Sequence, residues 1–453
     1  MAICILEKKE YIYSCIYYIH GILENARGIG MNKILTGQER SRRYFILEGI
    51  TGIGQFSLTT GNFLAGFISF LGGSETLNGR IGVIHVAMGI FQIFSTLILS
   101  HGQRSRKEKV IGIAIILRLF MSIAYFVPYI LMQLGASDQV MMAGFIVCFV
   151  LAYISNGIIS PIISSWMIDL SPLHIRGKYL AYREKLSLGI VAICTIVLGR
   201  VLDYNKLLGQ EFVGFLFLGG VLVVMGILNI YALIHIEDVV TEETRKESAF
   251  IKRLCAPIKD PVFSKIILMY VIWNFGLFIG APFMSVYMVD SLNLSYTYMM
   301  TMTVITTVTR VAFTSWWGNL ADKKSWFLSG TISVTILGLA HFSWGFITSA
   351  NYMFLIPLVH IAGGIAWAGA GISLFNMQFL FAKQRIRTMS VSVNSAIGGL
   401  TSIIAVFVGS HIVDIVGQQG MRWTFFLSGL IIMLCPLYIQ KILTRLQTHI
   451  VHD

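Results

Sequence analysis

Two arginines stand inside long apolar runs. Arg118 is about 12 Å into its run and Arg310 about 10 Å from the end of its own, at 1.5 Å per residue. Glu48, near the start of another run, is placed to pair with Arg118 or to reach the interface. Charges at such depth are costly enough to be presumed functional. Neutral polar residues recur at comparable depth: Gln55, Asn62, Gln92, Asn156, Trp273, Asn274, His360 and Trp367. Their amides, indoles and imidazole suit a hydroxyl-rich or otherwise polar solute, through hydrogen bonds and stacking. Each also has a plainer use as a bridge between helices, and that reading is preferred for Asn62 and Gln92. His85 and His341 read as packing residues. Bond-making chemistry has no foothold: there is no H-E-x-x-H, no nucleophile elbow, no phosphate loop ending in Lys-Ser/Thr and no Cys/His cluster. No cofactor or metal is expected, and the chain is not read as an enzyme.

These residues need apolar elements to position them. The 453 residues are 56 % hydrophobic and only 12 % charged, with a mean hydropathy of +0.75. That is too apolar for a soluble domain to cover. The apolar runs are about twenty residues long and continuous, as crossing a hydrocarbon core of about 30 Å in a helix requires. Barrel strands would be shorter and would alternate in polarity. Twelve such runs are expected, six on either side of the charged break 237–265. The expected organisation is a leader over 1–43, a six-helix bundle over 44–236, the linker loop 237–265, a second bundle over 266–442 and a tail over 443–453. In the leader, Tyr11–Leu23 is too short to span, and Met31 opens a more usual-looking start. Cys4, Cys15, Cys148, Cys194, Cys255 and Cys435 show no pairing or ligand spacing.

The net charge of +12 is loop charge, not a nucleic-acid footprint. Only Arg80, Arg200, Lys206 and Arg422 fall on one side of the expected spans, and only Arg118 and Arg310 lie within them. The remaining lysines and arginines share the other side, which the positive-inside rule makes cytoplasmic, with both termini. The halves also echo each other. Ile175-Arg176-Gly177 corresponds to Ile386-Arg387-Thr388, and Gly199 and Asp203 correspond to Gly409 and Asp414. A tandem six-span repeat sets the halves parallel about an axis normal to the membrane.

From about Arg43 to Lys441 the chain resembles the major facilitator superfamily. Gly318-Asn319-Leu320-Ala321-Asp322-Lys323-Lys324 is similar to its G-x-L-a-D-r loop signature, and Pro172-Leu173-His174-Ile175-Arg176-Gly177 to its P-x-x-x-R-G loop. Trp273-Asn274-Phe275, Ala281-Pro282-Phe283, Gly363-Gly364 and Trp367-Ala368-Gly369 look like a bacterial branch of unassigned substrate. In the first-half copy of the loop, His101 and Ser105 replace the Gly and the Asp. No proline interrupts Leu186–Gly199, where drug antiporters of the family carry a Gly-Pro motif.

The resemblance implies an all-α membrane protein of twelve transmembrane helices in two bundles around a central cavity. Its leading spans would carry Asn156, Asn274, Trp273, Trp367, His360 and Gln55, with Arg310 on a supporting span; Arg118 is expected to be structural or to pair with Glu48. Gly318, Asp322, Lys323, Arg176 and Arg387 would form cytoplasmic latches, with Gly318 admitting a close neighbour and Asp322 accepting from helix amides or an arginine. The implied function is secondary active transport of a small polar solute by alternating access, of sugar or organic-anion type. The candidate coupling ion is H+, carried by Glu48 alone. Multidrug efflux and a membrane sensor without flux are the alternatives. The expected partners are the solute and the lipid bilayer of the plasma membrane, with no nucleic acid, and the expected state is a monomer.

Overall fold

The computed structural model describes residues 37–95, 98, 105–171, 173–238, 250–382 and 387–443; within these, the side chains at 173–178, 181, 250–253, 387, 388, 418, 442 and 443 lie outside the description. The described residues contain helices and turns and no strand. The first group comprises α1 (Gly37–Leu58), α2 (Gly61–Phe70), α3 (Glu75–Gly82), α4 (Arg106–Ile123), α5 (Phe126–Gln133), α6 (Asp138–Asp169), α7 (Leu173–Leu207) and α8 (Glu211–His235). Between α3 and α4 the chain runs through the short pieces Ile84–Ala87 and Met88–Ile93. The linker carries α9 (Phe250–Lys259) where a loop was expected. The second group is α10 (Phe263–Val286), α11 (Tyr296–Lys323), α12 (Trp326–Trp344), α13 (Tyr352–Phe381), α14 (Arg387–Val416), α15 (Gln418–Ile432) and α16 (Leu434–Tyr438).

Local chemistry sets several boundaries. Ser105 and Glu108 form a capping box that starts α4. Ser295 and Ser325 cap α11 and α12. α1 and α2 are one helical path broken at an elbow. Thr59 and Thr60 turn their hydroxyls back onto the carbonyls of Gln55 and Phe56, and Gly61 takes φ +60°, which suits a residue without Cβ. α4 and α5 meet at a 52° bend.

Eight helices among the described residues are long and apolar enough to cross a membrane, or nine if the bent α4–α5 pair is one span. That falls short of the expected twelve for a physical reason. α1 is cut at the elbow and carries Glu48 and the charged stretch Glu39–Arg43 near its start, the chain from Glu75 to Ile93 is divided into short pieces, and α11 is 28 residues long but rich in threonine. The outward faces of the long helices carry bare Ile193, Ile227, Phe354 and Ile415, an apolar surface suited to lipid.

α1 packs on α7 and α8, and α4 on α6 and α8. In the second group α13 packs on α11 and α12, and α10 on α14 and α15. The first group has an aromatic centre in which Phe67 lies 4.6 Å from Tyr125, 5.1 Å from Phe145 and 4.8 Å from Phe215, centroid to centroid. Tyr125 satisfies its hydroxyl on the Leu58 carbonyl at the elbow. The second group uses small residues for close packing, as membrane helices do. A Cβ at Gly276 would lie 3.0 Å from Ile432.

Candidate solute cavity

A cavity of about 430 Å³ lies between the two groups. The elbow contributes Phe56, Ser57, Thr60 and Asn62, and α7 contributes Val191 and Thr195. Facing them are Met284 and Ser285 of α10, Thr303, Thr306 and Thr307 of α11, His341 and Trp344 of α12, and His360 and Trp367 of α13. No Asp, Glu, Lys or Arg is among the lining residues.

The polar contacts that join the groups cluster at one face, called the far face because the basic loops lie at the other. The Asp203 carboxylate accepts the backbone N–H groups of Tyr296 and Thr297 at 2.7 and 2.8 Å. Tyr296 donates its hydroxyl to Glu211 at 3.1 Å, and Arg80 pairs with Asp414 at 3.3 Å. Gly199 makes the crossing of α7 and α11 close, since a Cβ there would sit 3.2 Å from the Tyr296 backbone. Toward the basic face, α11 is bare from Arg310 to Trp316. At that end Arg106 pairs with Asp169, Arg183 with Glu48, and the Tyr438 hydroxyl donates to the Lys265 carbonyl, each within one group.

The sequence-selected residues divide. His360 and Trp367 line the cavity. Trp273 does not; it is buried in the second group with its ring edge-on to Trp367 at 5.7 Å. Asn274 donates to the Tyr270 carbonyl and lies against Gly398 of α14. Asn156 is half-buried on α6, away from the lining. Arg310 is exposed on α11, on the same helix face as Thr303, Thr306 and Thr307 and one turn nearer the basic face. Its guanidinium makes no hydrogen bond or ion pair among the described residues.

Gln55 is turned away from the cavity into a buried network. Arg118 donates to Gln55 Oε1 at 2.6 Å and to Asn229 Oδ1 at 3.0 Å, while Gln55 Nε2 reaches the Leu222 carbonyl at 2.8 Å. Asn229 in turn donates to Thr51 Oγ1 at 2.8 Å. The expected Glu48–Arg118 pair does not form. Glu48 is held by Arg183 at 2.6 Å, and Arg118 satisfies itself on amides. α7 brings Arg183 to α1 from far along the sequence, a contact that periodicity does not reveal.

At the loop signature, a Cβ at Gly318 would have no neighbour within 4 Å among the described residues. The close approach expected of it is not seen among the described residues, where the stretch of α11 leading to it is bare from Arg310 to Trp316. Asp322 and Lys323 are exposed, and neither has a polar partner among the described residues. Arg176 and Arg387 lie in the first turns of α7 and α14, but their side chains fall outside the described residues.

Three lining features were not legible beforehand. Asn62 and His341, read as structural, both line the cavity. The threonines of α11 were missed, although their spacing of three and four residues marks one helix face.

Two packed helix groups, an apolar exterior and a central cavity define a polytopic helical membrane protein with room for a small molecule. The sequence model of the Major Facilitator Superfamily matches residues 45–384, and the chain belongs to that superfamily. It is therefore a transporter. A comparison with curated proteins gives no match. Among solved structures, the chain is similar to a D-xylose–proton symporter with a TM-score of 0.65 at 16 % identity, covering 88 % of this chain and 96 % of that one. It is also similar to a bacterial homologue of the iron transporter ferroportin in its inward-facing state, at 0.68 and 12 %, covering 90 % and 99 %. The nucleoside transporter NupG follows at 0.62 and 11 %, covering 90 % and 98 %. At these identities the likeness establishes the fold.

Proposed function

We propose that the chain is a secondary transporter that moves a small polar solute across the plasma membrane by alternating access. The observation that carries this reading is the cavity between the groups, tied shut at the far face by Asp203, Glu211 and Asp414 while α11 stands bare toward the basic face. With the basic face in the cytoplasm, as the positive-inside rule assigns it, this is an inward-open arrangement. The bilayer then holds twelve passes, in which the broken α1–α2 path, the pieces between Glu75 and Ile93, and threonine-rich α11 complete the count. Their lower apolarity follows from use, because α1, α2 and α11 supply polar groups to the cavity.

The proposal takes the solute's own gradient as the driving force. No carboxylate lines the cavity, and Glu48, the expected proton carrier, is engaged by Arg183. The protein works as a monomer on this reading, since one chain encloses the whole cavity. Flux of a solute that binds the purified chain, measured in reconstituted vesicles with and without an imposed pH gradient, tests it. Binding without flux would replace the transporter reading by that of a sensor.

A further inference from the structure

The transport reading leaves the solute's chemistry open, and the hydrogen-bond directions in the cavity wall narrow it. A hydroxyl has one proton to give. Thr60, Thr195, Thr303 and Thr307 give theirs to backbone carbonyls of their own helices, at 2.8, 2.9, 3.1 and 3.0 Å. Each therefore turns lone pairs toward the cavity.

The two histidines follow the same rule. Ser428 donates to the Gly276 carbonyl at 2.7 Å, so its contact with His341 Nδ1 at 2.8 Å has the imidazole as donor. Thr306 has the carbonyls of Met302 and His360 within reach of its one proton, both at 3.2 Å; with that proton on either, His360 Nδ1 is the donor to Thr306 at 2.7 Å. In both rings Nε2 is left as the acceptor. Among the described residues, His360 Nε2 is buried with no partner, and so is Oδ1 of Asn62, a residue only 6 % exposed. An acceptor kept from water without a donor is destabilising until one arrives.

Resting on the transport reading, we propose that the cavity binds an uncharged solute rich in O–H or N–H donors, of the polyhydroxylated-ring type. Its donors meet His360, Asn62 and His341, and its flatter apolar face lies against Trp344 and Trp367. At His360, His341 and the Asn62 Oδ1 a carboxylate would bring acceptors to acceptors, with no cation among the described lining residues to offset it. An ammonium would bring donors, but no acidic side chain lines the cavity to match its charge.

The test uses the full chain purified in detergent. The probes are pentoses, hexoses, inositols and nucleosides, each beside its carboxylate and amino derivatives. Quenching of tryptophan fluorescence and thermal stabilisation report binding. A neutral member should bind about tenfold or more tighter than both of its charged derivatives. His360→Phe, which removes the acceptor, should weaken it by about tenfold, while His360→Gln, which restores one, should stay within about threefold. If His360→Phe does not fold, Asn62→Leu serves, with the same tenfold loss expected.

Tighter binding of the carboxylate or amino form, silence of the whole neutral series, or undiminished binding when an acceptor is removed would each overturn the assignment. Vesicle flux separates this inference from the reading beneath it. A neutral ring that binds without being carried sinks transport and leaves the site chemistry standing. A carboxylate that is carried sinks the site chemistry and leaves transport standing.

Discussion

Asp203 and Tyr296 tie the two helix groups together, the Asp203 carboxylate accepting the Tyr296 backbone N–H at 2.7 Å and that of Thr297 at 2.8 Å. These are the first two residues of α11, so the carboxylate also meets the positive end of that helix. Its repeat partner, Asp414 at the end of α14, holds Arg80 of α3 in the reverse direction, second group to first. Related acids thus close the far face from both sides.

Asp203→Asn keeps the shape and removes the charge. Hydrogen bonds to charged groups contribute roughly 1.5–3 kcal/mol each, less when partly wetted as here. A net loss of about 1.4 kcal/mol moves a two-state equilibrium tenfold. A cysteine at Ser285, inside the cavity, should become about tenfold more reactive toward an impermeant reagent added outside. Unaltered labelling would mean that the far-face closure does not depend on this carboxylate.

The opposite latch makes a contrasting prediction. Asp322 has no polar partner among the described residues, so Asp322→Asn should leave the melting temperature of this state within about a degree. If the carboxylate engages only when the basic face closes, vesicle flux should fall by about tenfold all the same. Normal flux would reduce Asp322 to a loop residue.

The membrane orientation is checked independently. Single cysteines at Ser105 and Lys324 should react only from the cytoplasmic side, and one at Asn351 only from outside. Outside labelling at Lys324 would reverse the assignment of the open face.

The helical class and the superfamily were legible because each is carried by local pattern: continuous apolar runs, and the loop residues Gly318 to Lys324 that resemble the superfamily's signature. The site was only partly legible. Depth along a helix can be counted, but direction around it depends on neighbours. Gln55 and Ser57 are two residues apart, yet one faces Arg118 and Leu222 and the other the cavity. Asn62 was assigned to packing because a mid-depth amide usually bridges helices. Here the elbow at Gly61 turns it inward, and its Oδ1 remains without a partner. The Arg183–Glu48 pair joins residues from different expected spans, which a pattern in one dimension does not bring together.

The Arg118 network should behave as structure. Gln55→Ala removes the acceptor for Arg118 Nη1 and the donor to Leu222. Hydrogen bonds between membrane helices average only about 0.6 kcal/mol, but a buried guanidinium left short of an acceptor costs more. A loss of about 1–3 kcal/mol is expected, seen as a lower melting temperature and yield. Surviving protein should bind solute as the parent does. Weakened binding at an unaltered melting temperature would return Gln55 to the cavity.

Arg310 decides between a cavity that takes anions and one that takes neutral donors. It is exposed, has no partner among the described residues, and stands one turn from Thr306 and Thr307 toward the basic face. If it gripped an anionic group, Arg310→Gln would remove that cation and raise the dissociation constant about tenfold or more. If it stands at the mouth of a charge-free cavity, the same change leaves the affinity for a neutral solute within about twofold, because an exposed charge contributes little to an uncharged partner. The second outcome is expected. The melting temperature discriminates nothing here, since Arg310 makes no contact whose loss would lower it, so affinity is the measurement to make. A tenfold loss for a solute that carries a carboxylate would restore Arg310 as the binding cation and place the site one turn nearer the basic face.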